Sequence, residues 1–402
     1  MDREDSRVRY LHVTSKEEAL DALKGIEADP CSIRALLSKM LQTNIILEHV
    51  ESEAANVIQQ EMRNVGGDAA ICQDAIGCRT GDVILIGTSG QIRSFSEKMS
   101  KCPLDLRRIA ERLTEAVNNL FLDSVPLKTS RRDIVLGRRT LIMGILNATP
   151  DSFSDGNRFV SSEAAVEEGI RMAEEGADIL DIGGESTRPG SDPVPEDEEL
   201  RRVIPVIRGL AATVDVPLSV DTMKAAVARD ALTEGAEIVN DVSSMGFDDR
   251  MAKVVADTGA AVILMHMRGM PKTMQTGDLT YRSLRGEIIE FLRDRIDKAR
   301  IDGIEPTRIM VDPGLGFGKT VADNLRLIRY LEELKVLGRP IVTGASRKSF
   351  IGQVTGGKPR ERMEGTAAAV TAAVLNGSRI IRVHDVAAMK KVVAMADALR
   401  SA

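Results

Sequence analysis

The sequence predicts an α/β protein, a (β/α)8 barrel preceded by a small mixed α/β N-terminal domain. Three observations carry that expectation. Residues 134–402 alternate short apolar, β-branched runs with longer amphipathic stretches. Eight such runs occur, each separated from the next by enough chain for a helical crossover. Residues 1–120 lack this alternation. Eight βα units in a segment of this length fit a closed barrel better than a doubly wound open sheet.

The expected barrel strands are Leu141–Asn147, Ile179–Gly183, Leu218–Asp221, Ile238–Asp241, Ala261–Met265, Ile309–Asp312, Ile341–Gly344 and Ile380–Val383. The stretches between them carry one apolar face. Val166, Ile170, Ala173 and Ala177 recur at helical spacing, as do Val386, Met389, Val393 and Ala396. The N-terminal region reads as a strand near Arg7–Val13 and helices near Ser15–Leu23, Ser32–Leu41 and Glu53–Asn64. Short strands near Ala69–Cys72 and Asp82–Gly87 follow, then helices near Gln91–Ser100 and Leu104–Asn119. Residues 121–133, with Pro126 and the polar run KTSRRD, read as a linker to the barrel at 134–402.

Composition narrows the function classes. The 402 residues are 43% hydrophobic and 28% charged, which excludes disorder as a description of the whole chain. The net charge is −6, shared between the two regions, so neither resembles a basic nucleic-acid arm. Aromatics are only 3%, with no Trp, which disfavours a base-stacking surface. The four cysteines, Cys31, Cys72, Cys78 and Cys102, all precede the barrel and match no common metal or redox spacing. The start MDREDSRVRY reads as too charged for a secretory apolar segment, and no apolar run approaches the length expected of a bilayer span. A cytoplasmic protein without membrane or nucleic-acid partners is expected.

Barrel chemistry collects at the carboxyl ends of the strands. Those ends carry Asn147, Asp181, Asp221, Asn240, Met265-His266, Asp312, the run GASRKS, and Arg382 with His384. Buried carboxylates are costly unless a partner or ligand meets them. Asp221, Asn240 and Asp312, with Lys348, suit a flat heterocycle bearing amino and carbonyl edges. Asn147, Arg188, Arg382 and His384 supply donors and cations for a phosphorylated arm. Arg382 and His384 alternate on one strand and share a face. His266 reads as a packed strand-end histidine. The segment PGLGFGKT lacks the glycine spacing of either a phosphate loop or a dinucleotide fingerprint.

These residues bear a resemblance to a known family. LIMGILNATPDSFSDGNRF, DIGGESTRPGSDPV, SVDT, NDVS, LMHMRGMP, DPGLGFGK, TGASRKSFIG and RVHDV are similar, in order, to the motifs of dihydropteroate synthases, across 134–402. The resemblance implies a transferase of folate biosynthesis. Such an enzyme joins 6-hydroxymethyl-7,8-dihydropterin pyrophosphate to p-aminobenzoate and releases pyrophosphate. It implies that Asp221, Asn240, Asp312 and Lys348 hold the pterin, with Asp181 nearby and Met265, Gly316 and Phe317 in contact. It implies Asn147 as a Mg²⁺ ligand, and Arg188, Arg382 and His384 at the pyrophosphate. Thr187, Pro189, Phe153 and Ser349 would help form the p-aminobenzoate site, and Asp181, Arg188, Lys348, Arg382 and His384 the catalytic set. The family is usually a homodimer, and the apolar helix Gly365–Asn376 is a candidate interface. The alternatives on the same barrel are a pterin-dependent methyltransferase and a non-catalytic pterin-binding protein. Many family members lack an N-terminal extension, and this one contains no cluster that dictates chemistry.

Overall fold

The computed structural model describes residues 8–11, 13, 15–72, 80–148, 160–186, 191–269 and 273–402. They divide into two compact units, Met1–Phe121 and Leu122–Ala402.

The first unit contains helices α1 (Lys16–Gly25) and α2 (Pro30–Met40), strand β1 (Gln42–Glu51), helix α3 (Ser52–Asn64), strands β2 (Asp68–Ile71) and β3 (Thr80–Thr88), and helices α4 (Ser89–Met99) and α5 (Leu104–Leu120). Its sheet has the order β1-β3-β2, antiparallel throughout. One sheet face, with Val83 and Leu85, packs on Ile58, Met62, Ile92, Phe95, Leu113 and Val117 from the helices. Ser15 and Thr88 start α1 and α4 through capping boxes with Glu18 and Gln91. The expected strand near Arg7–Val13 is absent among its described residues, and β1 takes that role. The physical reason is pairing: β1 runs beside β3 from Gln42 opposite Thr88 to Glu51 opposite Thr80.

The segment read as a linker is a structural part of the second unit. Strands β4 (Val125–Lys128) and β5 (Asp133–Leu136) form an antiparallel hairpin. Leu127 and Leu136 are fully buried in one cluster with Leu141, Met143, Ile179, Ile238, Ile263, Met310, Val342 and Ile380. The hairpin thus closes the amino-terminal end of the barrel with apolar side chains. Its turn is fastened by the buried Glu237. Thr129 Oγ1 donates to one carboxylate oxygen (2.6 Å) and Arg132 Nε to the other (2.9 Å).

The barrel strands are β6 (Leu141–Asn147), β7 (Ile179–Gly183), β8 (Leu218–Asp221), β9 (Ile238–Asp241), β10 (Ala261–Met265), β11 (Ile309–Asp312), β12 (Val342–Thr343) and β13 (Ile380–Val383). All pair in parallel in the order β11-β10-β9-β8-β7-β6-β13-β12. A bridge between Val311 and Ile341, with Val311 N–H donating to the Pro340 carbonyl (3.0 Å), closes the ring. The seventh strand is shorter than the expected Ile341–Gly344; the other seven match their expected bounds. Helices α6 (Val160–Glu175), α7 (Glu196–Ala211), α8 (Ala225–Thr233), α9 (Met251–Thr258), α10 (Leu284–Ile301), α11 (Val321–Arg329), α12 (Ser349–Thr355), α13 (Met363–Leu375) and α14 (Val386–Ser401) belong to the same unit.

Successive residues of each strand face alternately outward to the helices and inward to the barrel interior, so apolar residues stand on both faces. Leu180, Ile182, Val220, Val262, Leu264, Val311 and Ile381 point outward and pack in the main core with helix residues such as Val203, Leu292 and Val393. The inward positions carry Ile179, Ile263, Met310 and Ile380 at the bottom. The next inward positions up are Asp181, Met265, Asp312 and Arg382. The change from apolar to polar within one barrel interior positions the site.

Candidate active site at the barrel mouth

Arg382, on β13, is the centre of the site. Its Nε donates to Asp181 Oδ2 on β7 (2.6 Å) and its Nη2 to Asp221 Oδ2 on β8 (2.7 Å). Asn240 on β9 donates its Nδ2 to the same Asp181 oxygen (3.0 Å). All three partners are buried. Four inward residues from four strands therefore form one network. Asp181 Oδ1 and Asp221 Oδ1 are buried without a hydrogen-bond partner among the described residues. Such oxygens await donors, because an unmet buried acceptor is costly.

The electrostatics agree. Burial pushes the Asp221 carboxyl up to about 7 despite Arg382, with Asp181 and Glu199 adding to the rise. Burial alone would favour loss of the Arg382 proton, but Asp181 and Asp221 outweigh it and raise the guanidinium. Asp312, at the end of β11, is raised by burial and partly relieved by Lys348. Its Oδ1 accepts the Gly314 N–H (2.6 Å).

Gly314 opens a turn that only glycine can make. Its φ is +68°, and a Cβ there would sit 1.9 Å from the His266 carbonyl oxygen. The turn delivers Gly316 and Phe317. Gly316 donates its N–H to Asn324 Oδ1 (2.6 Å) and accepts from Gln275 Nε2 (2.7 Å). Lys348, at the N-cap of α12, lays its ammonium 4.4 Å from the Phe317 ring centroid and donates to the Leu315 carbonyl. Burial lowers Lys348 to about 8, against the attraction of Asp312. Phe317 and Met265 share a small buried cluster with Met223, Val242 and Met274. An apolar wall thus stands beside the polar network.

His384, one inward position beyond Arg382, meets Ser346: its N–H donates to Ser346 Oγ (3.3 Å) and its Nδ1 lies 3.0 Å from the same oxygen. Asn147 ends β6, half-buried, opposite Gly183. Ser349 is exposed at the first position of α12. Neither Asn147 nor Ser349 joins the network. Phe153, Thr187, Arg188 and Pro189 lie outside the described residues.

His266 is a packing histidine. Burial and then Lys319 push its imidazole down to about 2, so it stays neutral. Its ring meets Phe291 edge-on at 5.0 Å.

The sequence reading passed over a charged clamp beside the site. Lys224 Nζ donates to both Glu185 and the fully buried Glu199. Arg202 Nη1 donates to the Gly184 carbonyl (2.9 Å), so the exit of β7 is tied to α7 and to the start of α8. A Cβ on Gly184 would lie 2.8 Å from Val203 Cγ1, which seats the chain against α7. The only available signal was the glycine pair before Glu185.

A (β/α)8 barrel with a buried carboxylate–guanidinium network at its carboxyl-terminal mouth has the form of a barrel enzyme's active site. Comparison with known proteins is specific about which. Residues 143–384 match the family described as pterin binding enzyme, and the chain belongs to that family. The dihydropteroate synthase of Synechocystis sp. is 48% identical over 276 residues, covering 68% of this chain and 95% of that protein. A probable bifunctional folylpolyglutamate synthase/dihydropteroate synthase of Halobacterium salinarum is 36% identical over 392 residues, 97% of this chain and 47% of that protein. A solved dihydropteroate synthase of Xanthomonas albilineans with 4-aminobenzoic acid is 45% identical, covers 69% of this chain and 99% of its own, and superposes with a TM-score of 0.65.

Proposed function

We infer that this chain is a dihydropteroate synthase, a transferase that condenses 6-hydroxymethyl-7,8-dihydropterin pyrophosphate with p-aminobenzoate to give 7,8-dihydropteroate and pyrophosphate. The observation that carries the reading is the pair of unpartnered, buried carboxylate oxygens on Asp181 and Asp221 in the barrel interior. A pterin edge offers ring N–H and amino donors, the groups that such buried acceptors lack. The relatives support it: a second Xanthomonas albilineans dihydropteroate synthase structure, 42% identical, holds 7,8-dihydropteroate.

In this reading Asp221, Asn240 and Asp312 meet the ring's polar edge, with Asp181 behind them. Lys348 donates to the ring from above the Phe317 face, and Met265 and Gly316 line the remaining contacts. The reaction breaks the bond between the methylene carbon and the pyrophosphate oxygen and forms one to the arylamine nitrogen, which then releases a proton. An aniline is unprotonated at neutral pH, so no strong base is required to make the nucleophile. Positive charge growing on the methylene is shared with the ring and favoured by the surrounding carboxylates. Arg382 has Nη1 uncommitted among the described residues, available to the departing anion. His384 lies on the same side of β13, and Arg188 joins them by family resemblance. Thr187, Pro189, Phe153 and Ser349 are proposed to receive p-aminobenzoate.

Mg²⁺ fits this donor set only as a companion of the pyrophosphate. No group of three His, Cys, Asp or Glu residues able to hold a metal occurs among the described residues. Asn147 offers one neutral oxygen at the mouth, which suits an ion that keeps phosphate and water ligands. Mg²⁺ held there would neutralise charge on the leaving group.

We also place the protein in the cytoplasm as a homodimer. Among the described residues, no helix is long and apolar enough to cross a membrane. Leu375 of α13 and Met395 and Leu399 of α14 are exposed on adjacent helices, which favours association there. Light scattering on the purified protein tests it; a monomer at micromolar concentration refutes it.

The functional test is pyrophosphate release with Mg²⁺ and the dihydropterin pyrophosphate, with and without p-aminobenzoate. Release that depends on p-aminobenzoate and yields dihydropteroate is expected. Absence of both release and pterin binding refutes the reading.

A further inference from the structure

Lys319 takes no part in the chemistry above, yet its side chain is buried just behind the ring pocket. Its Nζ lies 2.9 Å from His266 Nδ1 and donates to the carbonyls of Phe317 (2.9 Å) and His266 (3.3 Å). In the ammonium form Lys319 has three N–H groups, one for each of these acceptors. A donor from Lys319 at Nδ1 leaves the imidazole proton on Nε2. The two carbonyls belong to different walls. His266 follows Met265 at the end of β10, and Phe317 ends the glycine turn after β11. His266 N–H donates to the Asp312 carbonyl (3.0 Å), and Tyr281 Oη donates to Gly318 O (2.8 Å), so the neighbouring backbone is held as well.

Burying an ammonium is expensive, and an apolar side chain of the same length would avoid that cost. What the ammonium supplies is a fixed distance between the two backbone segments that carry Met265 and Phe317. Both side chains lie in one small cluster, with Met223, Val242 and Met274. A shift of either segment would change the width of the slot in which a planar ring is held.

We propose that Lys319 is a positioning residue for the pterin, joining the end of β10 to the Phe317 turn so that Met265 and Phe317 stand at ring-binding separation. The proposal rests on the pterin reading of this site.

The test uses the full chain. Lys319→Met keeps length and packing while removing all three donors. The expected result is a rise of tenfold or more in KM for the dihydropterin pyrophosphate, with KM for p-aminobenzoate within twofold of the parent. Fluorescence titration with 6-hydroxymethyl-7,8-dihydropterin should show the same loss. Lys319→Arg, which retains a cation and donors, should recover part of it. A loss of active protein with both KM values unchanged is the signature of a merely structural residue and overturns the proposal. Where Lys319→Met does not fold, His266→Phe keeps a packed ring and removes one acceptor. A severalfold rise in pterin KM is then expected, and no rise overturns the proposal. A parent protein that binds no pterin overturns the site reading itself, and this proposal with it.

Discussion

At the scale of single residues, parity along each strand separates roles that composition cannot. Asn240 and Asp241 are adjacent and both buried, yet only Asn240 faces the barrel interior. Asp241 instead accepts from Ser243 and Met245 and holds the following turn. The sequence made Asp181, Asp221, Asn240, Asp312 and Arg382 readable because they end inward-facing apolar runs. Lys224, Glu199 and Lys319 were not readable, because a lysine or glutamate in a loop or on a helix looks the same in sequence whether it is solvated or buried. Two predictions belong here. Lys348→Ala should weaken dihydropterin binding by about 10- to 100-fold, the value of a charge-assisted hydrogen bond. Calorimetric titration reads it, and unchanged affinity removes Lys348 from the ring site. The second concerns Asp221, which is raised to about 7 in the folded protein against an ordinary 3.8. Its folded form holds a proton that the unfolded chain releases. The ligand-free protein is therefore progressively less stable from about pH 4 to pH 7, and the loss is constant above that. Asp221→Asn should raise Tm at pH 8, with the gain fading toward pH 4, while catalysis falls. Melting curves across that range check the sign.

At the scale of elements, seven of eight barrel strands were legible to the residue because short apolar or β-branched runs, each followed by a longer amphipathic stretch, have few other uses in such a pattern. Two elements were not. β1 has the polar residues Gln42, Asn44, Glu48 and Glu51 interspersed, and its strand state depends on pairing with β3. The β4–β5 hairpin is two four-residue strands around a polar turn, which locally reads as a connector. Its meaning comes from what Leu127 and Leu136 touch. Leu127→Ala should destabilise the second unit by about 2–5 kcal/mol, the usual cost of a large buried truncation. The KM values should be unchanged, because the hairpin lies at the end opposite the mouth. Urea unfolding with parallel kinetics tests both halves of that statement.

At the scale of the whole molecule, the division falls after Phe121, ahead of the hairpin. The segment 122–402 should therefore fold alone and retain turnover. A version starting at 138, which lacks the hairpin, should be poorly soluble or melt well below it. Equal stability of the two would refute the plug role of Leu127 and Leu136. The Halobacterium salinarum relative aligns over nearly the whole chain, whereas the Synechocystis relative aligns over 68% of it. The Halobacterium alignment thus takes in the first unit, whereas the Synechocystis protein, 95% of it aligned, is too short to hold both units. The closure of the ring has a further consequence. Most staves are joined along four or five residue pairs, but on the side that closes the ring β11 is held by a single bridge to Ile341, and β12 is two residues long. Backbone amides at Val311, Val342 and Thr343 should exchange with deuterium sooner than those of β7. The cylinder should breathe along this one line, between the strand that carries Asp312 and the loop that carries Lys348.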